Sequence, residues 1–191
     1  MLQELRRDSA RYAEVGGWFG SPGFWIVAVH RFGTWAARLP LPLRLPMWIV
    51  YRVAHLPYVL FNVHLWAGAR GTRIGAGFAL IHPNNVYFAP GVEIGENCLF
   101  HHEVTLGMDH EYGIPKIGNN VIIFPGARLL GGLTVGDNAM ISANCVVQRD
   151  VPEGTVVMPA ANRMLPRGMS AWARKRSSEA GEAGDSGEKQ V

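Results

Sequence analysis

The sequence has little of several features that define common protein classes. Of its 191 residues, only two are cysteine and only 17% are charged. Two cysteines cannot build the disulfide framework of a small secreted protein. The hydrophobic fraction of 48% is too high for a wholly disordered chain, and the 23 glycines follow no collagen period. We therefore expect one globular domain with attachments, long enough to bury a sizeable core.

The sequence also lacks a recognisable secretory signal and an uninterrupted membrane span. The charged N-terminus, MLQELRRDSARY, is not followed at once by an apolar run with a small-residue cleavage site. The stretch from Met47 to Trp66 is long enough to span a bilayer, but Arg52 and Pro57 interrupt it. A central arginine is costly in hydrocarbon and a proline breaks the helical hydrogen-bond ladder. We expect a cytoplasmic protein.

The charge is unevenly distributed along the chain. Residues 1–70 contain eight arginines and three acidic residues, whereas residues 71–165 contain five basic and eight acidic residues. Five of the six tryptophans also lie within the first 66 residues. The sequence predicts three parts: a helical, basic and aromatic segment over 1–70, a glycine-rich domain over 71–163, and an extension over 164–191. The extension is expected to be disordered from about residue 177, where large apolar residues are scarce.

Prolines at positions 40, 42, 46 and 57 predict several short helices in the first part. Arginines are interleaved there with Trp, Leu and Phe, a pattern typical of helices that lie in a lipid headgroup layer. A helical cap that packs on the rest of the protein or on another subunit produces the same pattern. Two interpretations therefore stand side by side: a peripheral contact of residues 18–66 with the inner face of a membrane, and a cap. A nucleic-acid partner is not expected.

The strongest signal is a six-residue period in the second part. Aliphatic residues recur without a break at Ile117, Ile123, Leu129, Val135, Ile141 and Val147. Earlier frames run through Ile74, Leu80 and Val86 and through Ile94, Phe100 and Leu106. Six residues suit a short strand plus a corner, with the aliphatic side chain stacked inward on the next coil. Glycine often follows the aliphatic residue and is expected to supply a positive φ at the corner.

This repeat resembles the hexapeptide-repeat acyltransferases, and within them the serine acetyltransferase branch with its relatives in polysaccharide biosynthesis. The segments that carry the resemblance are IGAGFALIH (74–82), EVTLG (103–107), PKIG (115–118), GARLLGGLTVGDNAMISANCVVQRDVP (126–152) and MPA (158–160). The resemblance covers about half of the chain. It implies a mainly β fold, a left-handed parallel β-helix preceded by the N-terminal helical segment. It also implies a homotrimer and acetyl-CoA as co-substrate.

Histidine suits the role of general base in acetyl transfer because its ordinary pKa lies near neutrality. His82 ends the motif IGAGFALIH at the position where the family's serine acetyltransferases have their catalytic histidine. The alternative is a histidine at a β-helix corner with a structural hydrogen bond. The resemblance favours catalysis.

The sequence departs from the serine acetyltransferases at three positions. They usually have Asp before the catalytic histidine and a second Asp about fifteen residues upstream, where this chain has Ile81 and Ala67. Their His-Pro-Lys sequence reads Ile114-Pro115-Lys116 here. The ammonium group of free serine requires carboxylates, so these departures favour a neutral hydroxyl acceptor such as a sugar or polysaccharide precursor. The alternative is serine O-acetylation for cysteine biosynthesis.

Further histidines are candidates for auxiliary roles. His101 and His102 are adjacent and point to opposite faces in a strand, so at most one lines a given groove; His102 is our choice. His110 lies where the repeat is interrupted, since Leu106 and Ile117 are eleven positions apart. A loop must project there and can grip an acceptor or reach another subunit. A solvated loop tip is the alternative.

The resemblance implies that coenzyme A lies along the later coils between subunits. Small residues would let the pantetheine arm approach the backbone, and basic residues would meet its phosphates. The candidates are Gly131, Gly132, Ser142 and Ala143 for the arm, and Lys116, Arg149 and Arg163 for the phosphates.

Two other functions use the same fold. Zinc carbonic anhydrases of this shape hold the metal with three histidines at a subunit interface, and the seven histidines of this chain suggest that alternative. We could not match the ligand spacing of that family, so no metal is expected. The other alternative is a non-catalytic β-helix scaffold, which the missing acidic residues favour and His82 disfavours.

Overall fold

The computed structural model describes residues 1–68 and 71–161. Four helices come first: α1 (Leu2–Glu14), α2 (Pro22–Ala36), α3 (Leu41–Ala54) and α4 (Leu56–Phe61). Proline stands at the start of α2 and α3, where its missing N–H costs no helical hydrogen bond. Pro46 differs from expectation, since it lies inside α3 without ending it.

Fourteen strands of two or three residues follow the helices. They are β1 (Val63–His64), β2 (Arg73–Ile74), β3 (Ala79–Leu80), β4 (Val86–Phe88), β5 (Glu93–Ile94), β6 (Leu99–Phe100), β7 (Thr105–Gly107), β8 (Lys116–Ile117), β9 (Ile122–Ile123), β10 (Arg128–Leu130), β11 (Thr134–Val135), β12 (Met140–Ile141), β13 (Val146–Val147) and β14 (Val156–Val157). All pairings are parallel, and up to β13 every third strand shares a sheet, whereas β14 pairs with β12. Sheet A is β1-β4-β7-β10-β13, sheet B is β2-β5-β8-β11 and sheet C is β3-β6-β9-β12-β14. This is the predicted parallel β-helix with an N-terminal helical segment. Its first strand begins at Val63, before the hexad pattern starts.

The core runs along the axis of the β-helix. The six unbroken hexad aliphatics are all buried, none more than 5% exposed: Ile117, Ile123, Leu129, Val135, Ile141 and Val147. Cys98 and Cys145 are free and buried among them. Burial raises the pKa of the Cys98 thiol to about 11, which keeps it protonated and inert.

The glycines that follow the aliphatics have a different purpose from the one expected. Gly95 has no positive φ, yet a Cβ there would lie 2.5 Å from the Gly118 carbonyl oxygen of the next coil. Close approach between coils therefore selects glycine. The left-handed φ falls two positions later, at Asn97 (φ 58°) and Asn120 (φ 56°) in successive coils. Asparagine tolerates that conformation better than most residues because its short side chain bonds locally.

The first coil also departs from the expected frame. Leu80 pairs with Phe100 in sheet C, and Tyr87 pairs with Thr105 in sheet A. Five positions separate Phe100 from Thr105, whereas seven separate Leu80 from Tyr87. Two extra residues therefore lie in the corner between β3 and β4, which we call the first corner. Because of this insertion Val86 is not the hexad aliphatic of its coil, and Phe88 pairs with Leu106 instead.

Helices α1 and α2 cap the open end of the β-helix at its first coil, which consists of β2, β3 and β4. Arg31 donates to the carbonyls of Ile74 (2.6 Å) and Gly75 (2.7 Å), while the Asp8 carboxylate accepts from the N–H groups of Gly77 (2.8 Å) and Phe78 (2.9 Å). The Tyr12 hydroxyl accepts from the N–H of Leu80 at 2.8 Å. Edge strands present unpaired backbone groups that need covering, so the cap interpretation applies to α1 and α2.

Across residues 1–68 and 71–161, no helix combines the length and apolar character needed to cross a bilayer. The predicted C-terminal extension, 164–191, lies outside the described residues.

Candidate active site

His82 lies in the two-residue insertion at the first corner between sheets C and A. Its backbone φ is +51°, a left-handed conformation that is uncommon for residues other than glycine and is enriched at functional sites. Pro83 follows it and restricts the chain further. The His82 side chain is exposed. The corner therefore holds an imidazole out toward solvent in a constrained backbone.

A second and a third histidine lie on the next coil at the same edge. The ring of His102 is centred 6.4 Å from that of His82, and its Nδ1 is buried without a hydrogen-bond partner in the described part of the chain. His101 stacks on Phe124 at 5.3 Å with the ring planes 11° apart. Burial, followed by the charges of His102 and His82, lowers the pKa of His101. His102 is thus the auxiliary candidate that the fold places beside His82, while His101 faces its aromatic neighbour.

A cavity of about 570 Å³ opens beside His82. Its other walls come from the turn between α1 and α2, from the end of α4 and from the first corner, and include Tyr12, Gly17, Ser21, Phe61 and Asn84. No Asp or Glu lines it among the described residues. The cavity can therefore accommodate a small molecule next to the imidazole.

The projecting loop expected after Leu106 runs from residue 108 to 115, between β7 and β8. Asp109 orders it by accepting from the backbone N–H groups of Gly113 (2.8 Å) and Glu111 (3.0 Å). These donors, that of Gly113 foremost, lower the pKa of Asp109. His110 is 89% exposed at the tip, 3.7 Å from the Glu111 carboxylate. The loop lies at the edge between sheets A and B, so His110 is not beside His82 within one chain.

The candidate coenzyme residues fall on two different edges. Ser142 and Ala143 follow β12 at the edge that carries His82, three coils further on. Lys116, Gly131, Gly132 and Arg149 lie around the edge between sheets A and B. One chain does not bring the two sets together, and Arg163 is outside the described residues.

Gly131 and Gly132 also have a structural role in packing against the loop over 108–115. A Cβ on Gly131 would lie 2.6 Å from the Asp109 carboxylate, and one on Gly132 would lie 3.3 Å from the Cα of Gly113. The loop therefore needs small residues beneath it, whether or not a ligand also passes there. Among residues 1–68 and 71–161, no three His, Cys, Asp or Glu side chains converge in a way that could hold a metal ion.

Sequence reasoning missed the helical side of the cavity. Gly17 and Ser21 belong to a turn with no recognisable motif, and only the docking of α1 and α2 on the first coil brings them to His82. The insertion itself left a trace in the sequence, since the apolar position expected four residues after Leu80 is Asn84.

Comparison with known proteins identifies close parallels. A family model described as bacterial transferase hexapeptide (six repeats) matches residues 114–149. Serine acetyltransferase from Synechococcus elongatus is 32% identical over 149 residues, which are 76% of this chain and 58% of the relative. Serine acetyltransferase from Mycobacterium tuberculosis is 30% identical over 166 residues, 83% of this chain and 67% of the relative. The crystal structure of Neisseria gonorrhoeae serine acetyltransferase in complex with serine has a TM-score of 0.68 at 26% identity, covering 83% of this chain and 66% of that one.

These relatives are longer than the chain, which spans 58% of the length of the first curated relatives it matches. The matches favour the serine acetyltransferases over saccharide-modifying enzymes. Three observations agree on the family. They are the six-residue repeat, the three-sheet β-helix and the similarity to the Mycobacterium protein over two thirds of its length. The chain belongs to the hexapeptide-repeat acyltransferases, in their serine acetyltransferase-like branch.

Proposed function

We propose that this protein is an acetyl-CoA-dependent O-acetyltransferase whose general base is His82. The observation that supports it most is the exposed imidazole, held in a left-handed corner conformation at the rim of a cavity. The family assignment supplies the reaction class and acetyl-CoA as donor.

The proposed reaction follows the general chemistry of acyl transfer. His82 accepts the proton of the acceptor hydroxyl while the hydroxyl oxygen forms a bond to the thioester carbonyl carbon. Backbone N–H groups stabilise the negative oxygen of the tetrahedral intermediate. The carbon–sulfur bond then breaks, and the proton held by His82 passes to the departing thiolate of coenzyme A.

We propose further that the site is completed in a homotrimer. Ser142 and Ala143 share an edge with His82, whereas Lys116 and Arg149 lie around another edge of the same chain. Apposing the first edge of one subunit with the second edge of its neighbour would gather both sets around one coenzyme A. The loop over 108–115 would then bring His110 from the neighbouring subunit.

Free serine is the acceptor we propose, because the similar proteins are named serine acetyltransferases.

A neutral hydroxyl, as on a saccharide, is the second candidate. Ile81 and Ala67 stand where the serine acetyltransferases usually have acidic residues, and the cavity beside His82 has no carboxylate among the described residues. Activity of the purified chain with serine and with neutral sugars distinguishes the two acceptors.

The test of the reaction is the release of coenzyme A from acetyl-CoA by His82→Ala. We expect the rate to fall by roughly 10²- to 10⁴-fold while the oligomeric state and the melting temperature are retained. Full activity in this variant would overturn the assignment. Lack of any stabilisation of the native protein by coenzyme A would favour the non-catalytic scaffold, and stoichiometric zinc in the purified protein would favour the carbonic anhydrase alternative.

A further inference from the structure

The outer side of α3 and α4 carries large apolar side chains that the described part of the chain leaves uncovered. Leu45, Ile49 and Val53 are spaced four residues apart on α3 and are 60%, 64% and 66% exposed. On α4, Leu56 and Leu60 are 68% and 85% exposed. We call these five residues the apolar face. Residues four apart on a helix lie on one side, so the three α3 residues form a continuous stripe.

The opposite side of α3 anchors the apolar face to helix α2. Tyr51 is the one buried residue among those of α3, and it packs against Gly33 of α2, where a Cβ would collide with its ring. Helix α2 is in turn fixed to the first coil through Arg31. The stripe is therefore displayed by an anchored helix, not by a segment that could fold inward to hide it.

The charge around the face has one sign. No Asp or Glu occurs between residues 15 and 92, a stretch that contains six arginines. Arg44 and Arg52 lie on α3 and are exposed. In the part of the chain that the structure describes, neither forms an ion pair within 4 Å. A helix that carries both an apolar stripe and unpaired cations complements a lipid surface, which is anionic outside and apolar beneath.

We propose that this face docks on the anionic surface of a lipid bilayer, with α3 and α4 lying in the headgroup layer. The aliphatic side chains would enter the acyl boundary while the arginines meet lipid phosphates. The half-buried Trp48 on α3 is suited to the same interfacial depth. No described helix could cross the bilayer, so the contact is peripheral.

A second copy of the chain fits the face less well. A twofold contact would place the same patch on both sides and would gather Arg44 and Arg52 of both copies at one interface, where α3 and α4 contain no acidic residue to offset them. Anionic lipid supplies the missing negative charge, whereas self-association does not.

The test is sedimentation of the full chain with vesicles of phosphatidylglycerol and phosphatidylcholine, compared with vesicles of phosphatidylcholine alone. We expect binding to the anionic vesicles that weakens as salt is raised. The double variant Ile49→Asp/Val53→Asp should reduce that binding by roughly tenfold or more, and Arg44→Gln/Arg52→Gln should reduce its salt dependence. The matched control is Leu2→Asp, which changes a side chain 77% exposed on α1, outside the face, and should leave binding intact.

Three outcomes would overturn the proposal: equal binding of the double variant and the native chain, equal binding to neutral and anionic vesicles, or a drop in oligomeric mass caused by Ile49→Asp/Val53→Asp in light scattering. The last would assign the face to contact between copies. Circular dichroism of each variant verifies that it is folded. Vesicle binding is measured without acetyl-CoA, so its failure is distinct from failure of the proposed reaction.

Discussion

Asp8 and Arg31 form a buried, two-pronged ion pair between α1 and α2, with Nε–Oδ2 at 2.7 Å and Nη2–Oδ1 at 3.0 Å. Asp8 is 0% exposed and Arg31 5%. Both side chains also bond to the backbone of the first coil, so the pair joins the helical segment to the β-helix. Removing one partner would leave a buried charge without compensation.

The first prediction concerns this pair. Asp8→Ala should lower the free energy of unfolding by about 3 to 5 kcal/mol, because it strands the Arg31 guanidinium and two backbone N–H groups. The control is Glu96→Gln, which breaks the exposed Arg7–Glu96 bridge of 2.9 Å and should cost less than about 1 kcal/mol. Urea unfolding at fixed protein concentration measures both. Similar losses in the two variants would contradict the role of the buried pair.

The second prediction concerns His30, which is buried in α2. Burial, with the neighbouring Arg31 charge second, lowers its pKa from 6.5 to about 4. Below pH 6.5 the unfolded chain therefore binds a proton that the folded chain refuses, so stability falls as the pH drops from 6.5 to 4. The full loss is roughly 3 kcal/mol. Unfolding curves across this range provide the measurement.

His30→Gln should remove this part of the pH dependence, since glutamine does not titrate. His110→Gln is the comparison, because His110 is 89% exposed and changing it should leave the profile as it is. A stability profile that is identical in native protein and His30→Gln would refute the prediction.

The third prediction distinguishes the two histidines at the candidate site. His102→Gln should lower kcat/KM by only about tenfold, because the His102 ring is centred 6.4 Å from that of His82 and shares no hydrogen bond with it among the described residues. His82→Ala should cost at least ten times more. Steady-state kinetics of both variants, with melting curves as the folding check, measure the difference. Equal losses would mean that His102 shares the proton transfer.

The fourth prediction concerns the packing of successive coils. Gly95→Ala should destabilise the fold by about 1 to 3 kcal/mol, since the added methyl would lie 2.5 Å from the Gly118 carbonyl oxygen and 2.6 Å from the Asn119 amide oxygen. Gly20→Ala is the matched control, because nothing lies within 4 Å of a Cβ there. Denaturation of both variants tests the difference, and a neutral Gly95→Ala would show that the coils can separate at little cost.

Much of the fold was readable in the sequence for a simple reason. Each hexad places Ile117, Ile123 and their equivalents at the same inward position, so the repeat determines the coil almost independently of the rest of the chain. The repeat also led to an error, because Val86 is six positions after Leu80 yet falls out of register. Strand pairing alone revealed the extra residues at that corner.

The candidate site was only partly predictable. His82 was found through its motif, but its neighbours depend on stacking: His102 is twenty positions away along the chain and lies one coil above. Gly17, Ser21 and Phe61 reach the cavity through helix docking, which no local pattern encodes. The spacing of Lys116 and Arg149 gave no hint that they lie around a different edge.

By itself, the sequence determined the repeating coil, the inward positions of its aliphatic side chains and the candidate base, because each depends on residues close together along the chain. Only the tertiary structure decided which glycines serve close packing, which helices cap the first coil, and which helical surface is left uncovered. Those outcomes depend on contacts between distant segments, such as Asp8 with Arg31 and both with the first coil. Arginine occurs in both α2 and α3, but Arg31 of α2 is paired with Asp8, whereas Arg44 and Arg52 of α3 form no ion pair within 4 Å in the described part of the chain.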